Sequence, residues 1–204
     1  MNEQVLVEAA QQGDLAAFNL LIEAYQQRAY NLAFRIVRDA ESAADVTQEA
    51  FLKAFRNLHR FHSGSFHAWL LRIVMNACYD HLRRQQIRRV FSLEEMTTTS
   101  DGNWPVSTTI EGPEKAILRQ ELSERLAQAI DRLPVALRTV LILSDIEGLS
   151  YPEIAAVMRI PLGTVKSRLS RARAAVRRDL LGEQTSPARE YIYRLSMRRA
   201  ELLA

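Results

Sequence analysis

The stretch Ser150-Tyr151-Pro152-Glu153-Ile154-Ala155-Ala156-Val157-Met158-Arg159-Ile160-Pro161, continued by Leu162-Gly163-Thr164-Val165-Lys166-Ser167-Arg168-Leu169-Ser170-Arg171-Ala172-Arg173, decides the fold. Ser150 followed by Glu153 three residues later is a capping box, which opens a helix. That helix is expected to bury Ile154, Ala155 and Met158, and Arg159-Ile160-Pro161 breaks it. A second helix opens at Leu162-Gly163-Thr164. Its apolar positions Leu162, Val165, Leu169, Ala172, Val176 and Leu180 fall within an arc of about 80° at 100° per residue. Lys166, Arg168, Arg171, Arg173, Arg177 and Arg178 lie outside that arc, and no acid occurs from Thr164 to Arg178. Two short helices joined by a tight turn, the second one basic, describe a helix-turn-helix that enters the major groove. Lys166, Ser167, Arg168, Ser170 and Arg171 are placed to reach base edges, with Arg173 on the same cationic flank. Thr164 and the helix N-terminus suit a phosphate. A charge run alone is usually a solvated face. The cap, the turn spacing and the missing acids together argue against that here.

Upstream, Pro113 is a good first-turn residue, and Ile117, Leu118, Leu122, Leu126 and Ile130 form an apolar stripe that ends at Leu133-Pro134. A helix over about 135–146 carries Leu137, Val140, Leu141 and Ile142. Residues 92–115 read differently. Thr97-Thr98-Thr99-Ser100, Asp101-Gly102, Trp104-Pro105 and Gly112-Pro113 cluster turn formers, and five acids face one Lys/Arg. A structureless loop of that length argues for two domains. Residues 1–91 carry eleven Lys/Arg against nine Asp/Glu, and 116–181 eleven against seven. Two mildly basic modules around an acidic connector suit contact with a polyanion.

The first 91 residues read as helix, with a break at Gly13, a cap at Asp14 and a turn at His62-Ser63-Gly64-Ser65. On a 45–61 helix, Val46, Ala50, Ala54, Leu58 and Phe61 share one side, with Phe51 and Phe55 at its margin. Asp45, Gln48, Glu49 and Leu52 share the other. That second face offers acceptors around an exposed Leu, which suits a partner helix with Arg donors. Further on, Phe61, Phe66 and Trp69 flank the turn that holds His62, Ser63 and Ser65. An aromatic-lined loop can hold an unstacked base, although Trp69 equally fits core spacing. Asn76 and Asp80, one helical turn apart, can bond an exposed base edge. Arg72, Arg83 and Arg84 can follow a phosphate backbone.

Much is excluded. The single Cys78 rules out a disulfide scaffold and a four-Cys zinc site. His59, His62 and His67 fit no named zinc spacing, and no nucleophile-elbow, phosphate-loop or metalloprotease motif occurs. No catalytic residue, cofactor or metal is therefore expected, and the chain reads as a non-enzyme. No apolar run approaches the ~18 residues of a membrane span, and no basic leader precedes one. A soluble, cytoplasmic protein without membrane insertion is expected.

Two motif sets now carry a resemblance. Leu133-Pro134 with Arg138, Glu147 through Ala155, and Gly163 through Arg173 resemble the promoter −35 domain of bacterial extracytoplasmic-function (group IV) sigma factors. Asp45-Val46-Thr47-Gln48-Glu49-Ala50-Phe51-Leu52-Lys53-Ala54-Phe55 resembles that family's polymerase-binding helix. Phe61 through Trp69-Leu70-Leu71-Arg72-Ile73 and Asn76 resemble its −10 segment. The resemblance spans about 1–181 and implies two small all-α domains on a flexible linker. Residues 1–91 would be the −10 and polymerase-binding domain, 92–115 the linker, and 116–181 the −35 domain. It implies core RNA polymerase as partner, through Asp45, Gln48, Glu49, Leu52 and Phe55. It also implies a captured base of single-stranded −10 DNA, duplex −35 DNA, and an anti-sigma factor that is often membrane-bound and would hold the chain at the inner membrane. The linker would thread into polymerase near the RNA path. Residues 182–204 exceed the pattern, and both a frayed tail and a docking segment stay open. Two other readings remain: a helix-turn-helix regulator of the response-regulator type, which needs an α/β receiver, and a helical adaptor with no nucleic-acid role.

Overall fold

The computed structural model describes residues 3–91 and 113–182, and every described element is helical. Of the expected linker 92–115, residues 92–112, with Trp104, lie outside the described residues, as does the tail 183–204, whereas 113–115 already belong to a helix. The elements are α1 (Glu3–Gln11), α2 (Leu15–Val37), α3 (Ala40–Asn57), a 3-10 turn (Leu58–Arg60) and α4 (Phe66–Phe91). After these come α5 (Pro113–Asp131), α6 (Val135–Leu141), a π turn (Ile142–Ile146), α7 (Tyr151–Met158) and α8 (Leu162–Gly182). By its contacts the chain forms two units, one of residues 1–100 with 142–166 and one of 101–141 with 167–204.

In the first unit, α1 packs on α2, and α2, α3 and α4 pack on one another. Ala29 and Ala33 of α2, Ala43, Ala50 and Ala54 of α3, and Ala77 of α4 are fully buried. Such small side chains allow close helix approach. Leu21, Leu32, Ile36, Leu70, Leu71 and Val74 fill the remaining interior. Gly13 takes φ +96, and the Asp14 carboxylate then accepts from the N–H groups of Ala16 and Ala17 at 2.8 and 3.1 Å. A cap of this kind is worth about 1 kcal/mol.

A second break, at Arg38, departs from the expected continuous helix. Arg38 is left-handed (φ 64), its N–H bonds the Phe34 carbonyl, and Asp39 caps α3 through the Ser42 N–H at 2.8 Å. The Ser42 side chain, and after it the Ser42 N–H, hold the Asp39 carboxyl below its ordinary range. The helix expected over 45–61 therefore begins at Ala40, ends at Asn57 and tightens into the 3-10 turn. Phe61 is already extended.

Also in this unit, the Glu147 carboxylate is almost wholly buried. It lies 3.9 Å from Arg35 Nη1 and 3.4 Å from His67 Nε2. Burial lowers the Arg35 pKa, and Glu147 opposes that shift.

In the second unit, α5 buries Ala127, Ala129 and Ile130, whereas Leu126 of the expected stripe is exposed. Arg132 Nη1 donates to both carboxylate oxygens of Asp179, tying α5 to α8 at 3.1 and 2.9 Å. Arg138 is buried and donates to the Asp131 carbonyl at 3.1 Å, so it closes the α5–α6 corner.

Candidate polymerase and nucleic-acid interfaces

On α3, Val46, Ala50 and Ala54 turn inward, leaving Asp45 and Gln48 exposed. Leu52 and Phe55 are also exposed, at 52% and 41%. Glu49 is half-buried. It accepts from Lys53 Nζ at 2.7 Å and lies 3.7 Å from Arg84 Nη2. The Lys53 bond, aided by both positive charges, keeps its carboxyl below the ordinary range despite partial burial. Glu49 is thus an ionised acceptor that already pairs with cations.

A groove of about 760 Å³ runs beside this face, between α3 and α2. Gln48, Phe51, Leu52 and Phe55 form one wall. Leu15, Asn19, Ile22, Gln26 and Tyr30 form the other. The α2 wall is absent from the site residues that the sequence suggests. Its positions follow three- and four-residue spacing, so they make one stripe. α2 is apolar on so many sides, however, that its wheel does not separate stripe from core. Leu15, 61% exposed at the first position of α2, is the clearest signal. No residue lining the groove carries a charge.

The turn 62–65 follows the 3-10 turn. Gly64 takes φ +97, a conformation any side chain would strain. Ser65 Oγ accepts from the Ala68 N–H at 3.1 Å and so starts α4. His62 Nδ1 lies 2.8 Å from the Arg60 carbonyl. His62, Ser63 and Ser65 are exposed. Beneath them, the Phe61, Phe66 and Trp69 rings meet with centroids 5.5–5.8 Å apart, and Tyr25 adds an edge contact to Phe66 at 5.6 Å. These three aromatics do not play one role. Phe66 is 2% exposed and belongs to the core, so it supports the loop from below and offers no ring to a ligand. Phe61 and Trp69 are half-buried at the rim. Along α4, Asn76, Asp80, Arg83 and Arg84 are exposed and Arg72 is half-buried. Cys78 is buried, which pushes its thiol up to about 12 and leaves it unreactive.

The capping box is complete. Glu153 accepts from Ser150 N–H at 2.8 Å and from its hydroxyl at 2.6 Å, while Ser150 Oγ receives the Glu153 N–H. Those bonds hold the Glu153 carboxyl below its ordinary range. α7 buries Ile154 and Val157, while Ala155 and Met158 are half-buried. Arg159 is left-handed (φ 53) and its N–H closes on the Ala155 carbonyl. Ile160 N–H also donates to Ala155, and Thr164 N–H to Pro161. α8 then buries Val165, Leu169, Ala172 and Val176. Lys166, Ser167, Ser170, Arg171 and Arg173 are exposed, and Arg168 and Thr164 are half-exposed. Leu162, expected on the buried arc, is 42% exposed at the helix start.

Comparison with known proteins places the chain in a family. Residues 21–88 match Sigma-70 region 2 and residues 123–176 match Sigma-70 region 4. The RNA polymerase sigma-H factor of Pseudomonas aeruginosa is 44% identical over 181 residues, covering 87% of this chain and 93% of the relative. The ECF RNA polymerase sigma-E factor of Escherichia coli K12 is 41% identical over 86% of this chain and 93% of its own length. The chain belongs to the ECF sigma factors. Among solved structures, CnrH in complex with the cytosolic domain of CnrY superposes with TM-score 0.63. It shares 26% identity and covers 89% of this chain and 99% of that one. The sigma factor RpoE with the anti-sigma factor NepR from Bartonella quintana gives 0.62 and 26%, covering 82% and 98%.

As a sigma factor, the chain is an initiation factor for transcription by RNA polymerase, a class whose members are not catalysts in themselves. The receiver-bearing regulator and the adaptor give way to this membership. Among the described residues, no helix is long and apolar enough to cross a membrane.

Proposed function

We propose that this sigma factor docks on core RNA polymerase through Asp45, Gln48, Glu49, Leu52 and Phe55, with the α2 wall completing the seat. A helix bearing Arg donors beside apolar side chains fits there. The donors meet Asp45 and Glu49, and the apolar side chains meet Leu52, Phe55 and the uncharged groove. His62, Ser63 and Ser65, with the rims of Phe61 and Trp69, take a base out of the −10 element. Asn76 and Asp80 bond its neighbours, and Arg72, Arg83 and Arg84 follow the strand. Duplex opening then draws on binding energy for the single strand, without nucleotide hydrolysis, and the chain turns over no substrate of its own.

The −35 element is read in the major groove by Lys166, Ser167, Arg168, Ser170, Arg171 and Arg173, with Thr164 on phosphate. The observation that carries this reading is α8. Its apolar arc is buried from Val165 to Val176, while its cations face outward with no acid among them. In domain terms, residues 1–91 act on polymerase and the −10 element, 116–181 act on the −35 element, and 92–115 link them. An anti-sigma factor is a further partner, supported by RpoE, solved with the anti-sigma factor NepR. The site of action is the cytoplasm, or the inner membrane while an anchored anti-sigma factor holds the chain.

Transcription in vitro tests this. Purified chain, bacterial core polymerase and a promoter library should give discrete starts preceded by two shared sequence blocks. Gln48→Ala with Glu49→Ala should lose core binding while keeping the helical circular dichroism. Unchanged binding would remove α3 from the polymerase interface.

A further inference from the structure

α1 lies outside the segment that matches region 2, yet its last residue reaches the base of the −10 loop. The Gln11 Nε2 amide donates to two main-chain carbonyls, that of Leu58 at 2.9 Å and that of Phe61. These carbonyls bracket the 3-10 turn Leu58–Arg60, because the Phe61 N–H itself closes on the Leu58 carbonyl at 3.0 Å. Phe61 is extended, and its carbonyl is the last one before the turn 62–65. The Leu58 carbonyl takes the amide on its second lone pair, beside the Phe61 N–H, and the Phe61 carbonyl lies past the last helical turn and must find its partner elsewhere. A primary amide is well suited here, since one nitrogen carries two N–H groups and can serve both acceptors at once.

The rest of α1 holds this amide in place. Val7 and Ala10 are buried in one cluster with Leu58, Phe66 and Leu70, and Phe61 and Trp69 pack against its edge. The direction in which the chain leaves Phe61 is therefore fixed from α1, about fifty residues earlier in sequence.

We propose that Gln11 is a positioning residue for −10 recognition: its amide sets the departure of the base-capturing loop, and α1 is part of the −10 reader. This rests on the assignment of the 61–66 loop to the −10 element. Loss of both bonds, at a site that demands geometry, predicts about a tenfold loss in promoter opening. Gln11→Met keeps the shape and removes both donors. Gln11→Lys supplies donors again on a stem of similar length.

The test uses the full chain with core polymerase on the strongest promoter that this holoenzyme selects from a random library. Opening is read by 2-aminopurine fluorescence within the −10 block. An abasic scan of that block locates the captured base. Gln11→Met should slow opening about tenfold on intact DNA, and Gln11→Lys should recover most of it. On DNA lacking the captured base, the Met variant and the parent should open alike, because no base is left to be positioned against. Core affinity should be unchanged.

An equal loss on intact and abasic DNA would mean a general stability effect and would overturn the proposal. So would normal opening by Gln11→Met while His62→Ala with Ser63→Ala is defective, and that result would leave the −10 assignment standing. If neither the loop variants nor the abasic scan affect opening, the −10 assignment fails and the role of Gln11 fails with it.

Discussion

The two surfaces proposed to face DNA are built by opposite means. The proposed recognition helix α8 is set at its start by its own neighbourhood, with one remote tie further along, from Arg132 to Asp179. The Ser150–Glu153 box, the left-handed Arg159, and the Ile160 and Thr164 amide bonds all lie within fifteen residues of Thr164. The loop at 62–65 has some local support from Gly64 and Ser65. Its setting, however, comes from far away: Gln11 on the Phe61 carbonyl, Tyr25 on Phe66, and the α1 side chains beneath. A helix carries its own hydrogen bonds and can be offered to DNA as a preformed rod. A base-capturing loop has no such ladder and needs bracing by other elements. Substitutions near in sequence should therefore disable the first reader, and substitutions remote in sequence the second.

The largest effect is expected beneath the loop. Phe66→Ala should destabilise the first unit by about 3–5 kcal/mol, the cost of emptying a fully buried aromatic site, measured by denaturant unfolding. Phe61→Ala and Trp69→Ala, at half-buried rings, should cost less stability and show more in promoter opening. If the three variants lose equal stability, the division between a core ring and rim rings is wrong.

Next comes α8. Arg168→Ala and Arg171→Ala should each weaken specific −35 binding by about 1–3 kcal/mol and relax the preference at one base position. The parent's affinity should fall steeply between low and moderate salt, read by fluorescence anisotropy. A uniform loss across all sequences would make these side chains phosphate contacts.

Smaller still, Ser150→Ala should cost about 1 kcal/mol by thermal unfolding, through loss of the α7 cap. The smallest effect concerns acid. The Glu153 carboxyl is depressed in the folded chain, by its bonds from Ser150. Its contribution is full above its unfolded value near 4.5 and disappears as pH falls through the lower folded value. Glu153→Gln keeps a capping acceptor and should flatten that component of the acid limb. An unchanged acid limb would mean that the box adds no pH-dependent stability.

The same contrast explains which features are legible in the amino-acid sequence. The capping box at Ser150, the cap at Asp14, the basic face of α8 and the exposed face of α3 can be read there because each arises within one or two helical turns. The break at Arg38 cannot, because an arginine in the left-handed region has no side-chain signature. Only the Asp39 cap on Ser42 betrays it. The α2 wall of the groove is hidden by a helix apolar on several sides. Phe66 and Trp69 have the same spacing signal, and only packing separates the buried ring from the rim. The bonds from Gln11 to Leu58 and Phe61, and the approach of Glu147 to Arg35 and His67, join positions far apart in the chain, which no local period records.

One measurement addresses the contrast directly: start-site mapping over a promoter library by holoenzymes carrying the parent chain, Arg171→Ala or Gln11→Met. Arg171→Ala should relax only the upstream block of shared sequence, and Gln11→Met should weaken selection only at the downstream block. If both variants alter the same block, or if Gln11→Met lowers all starts without changing either block, the two readers are not built in the way described.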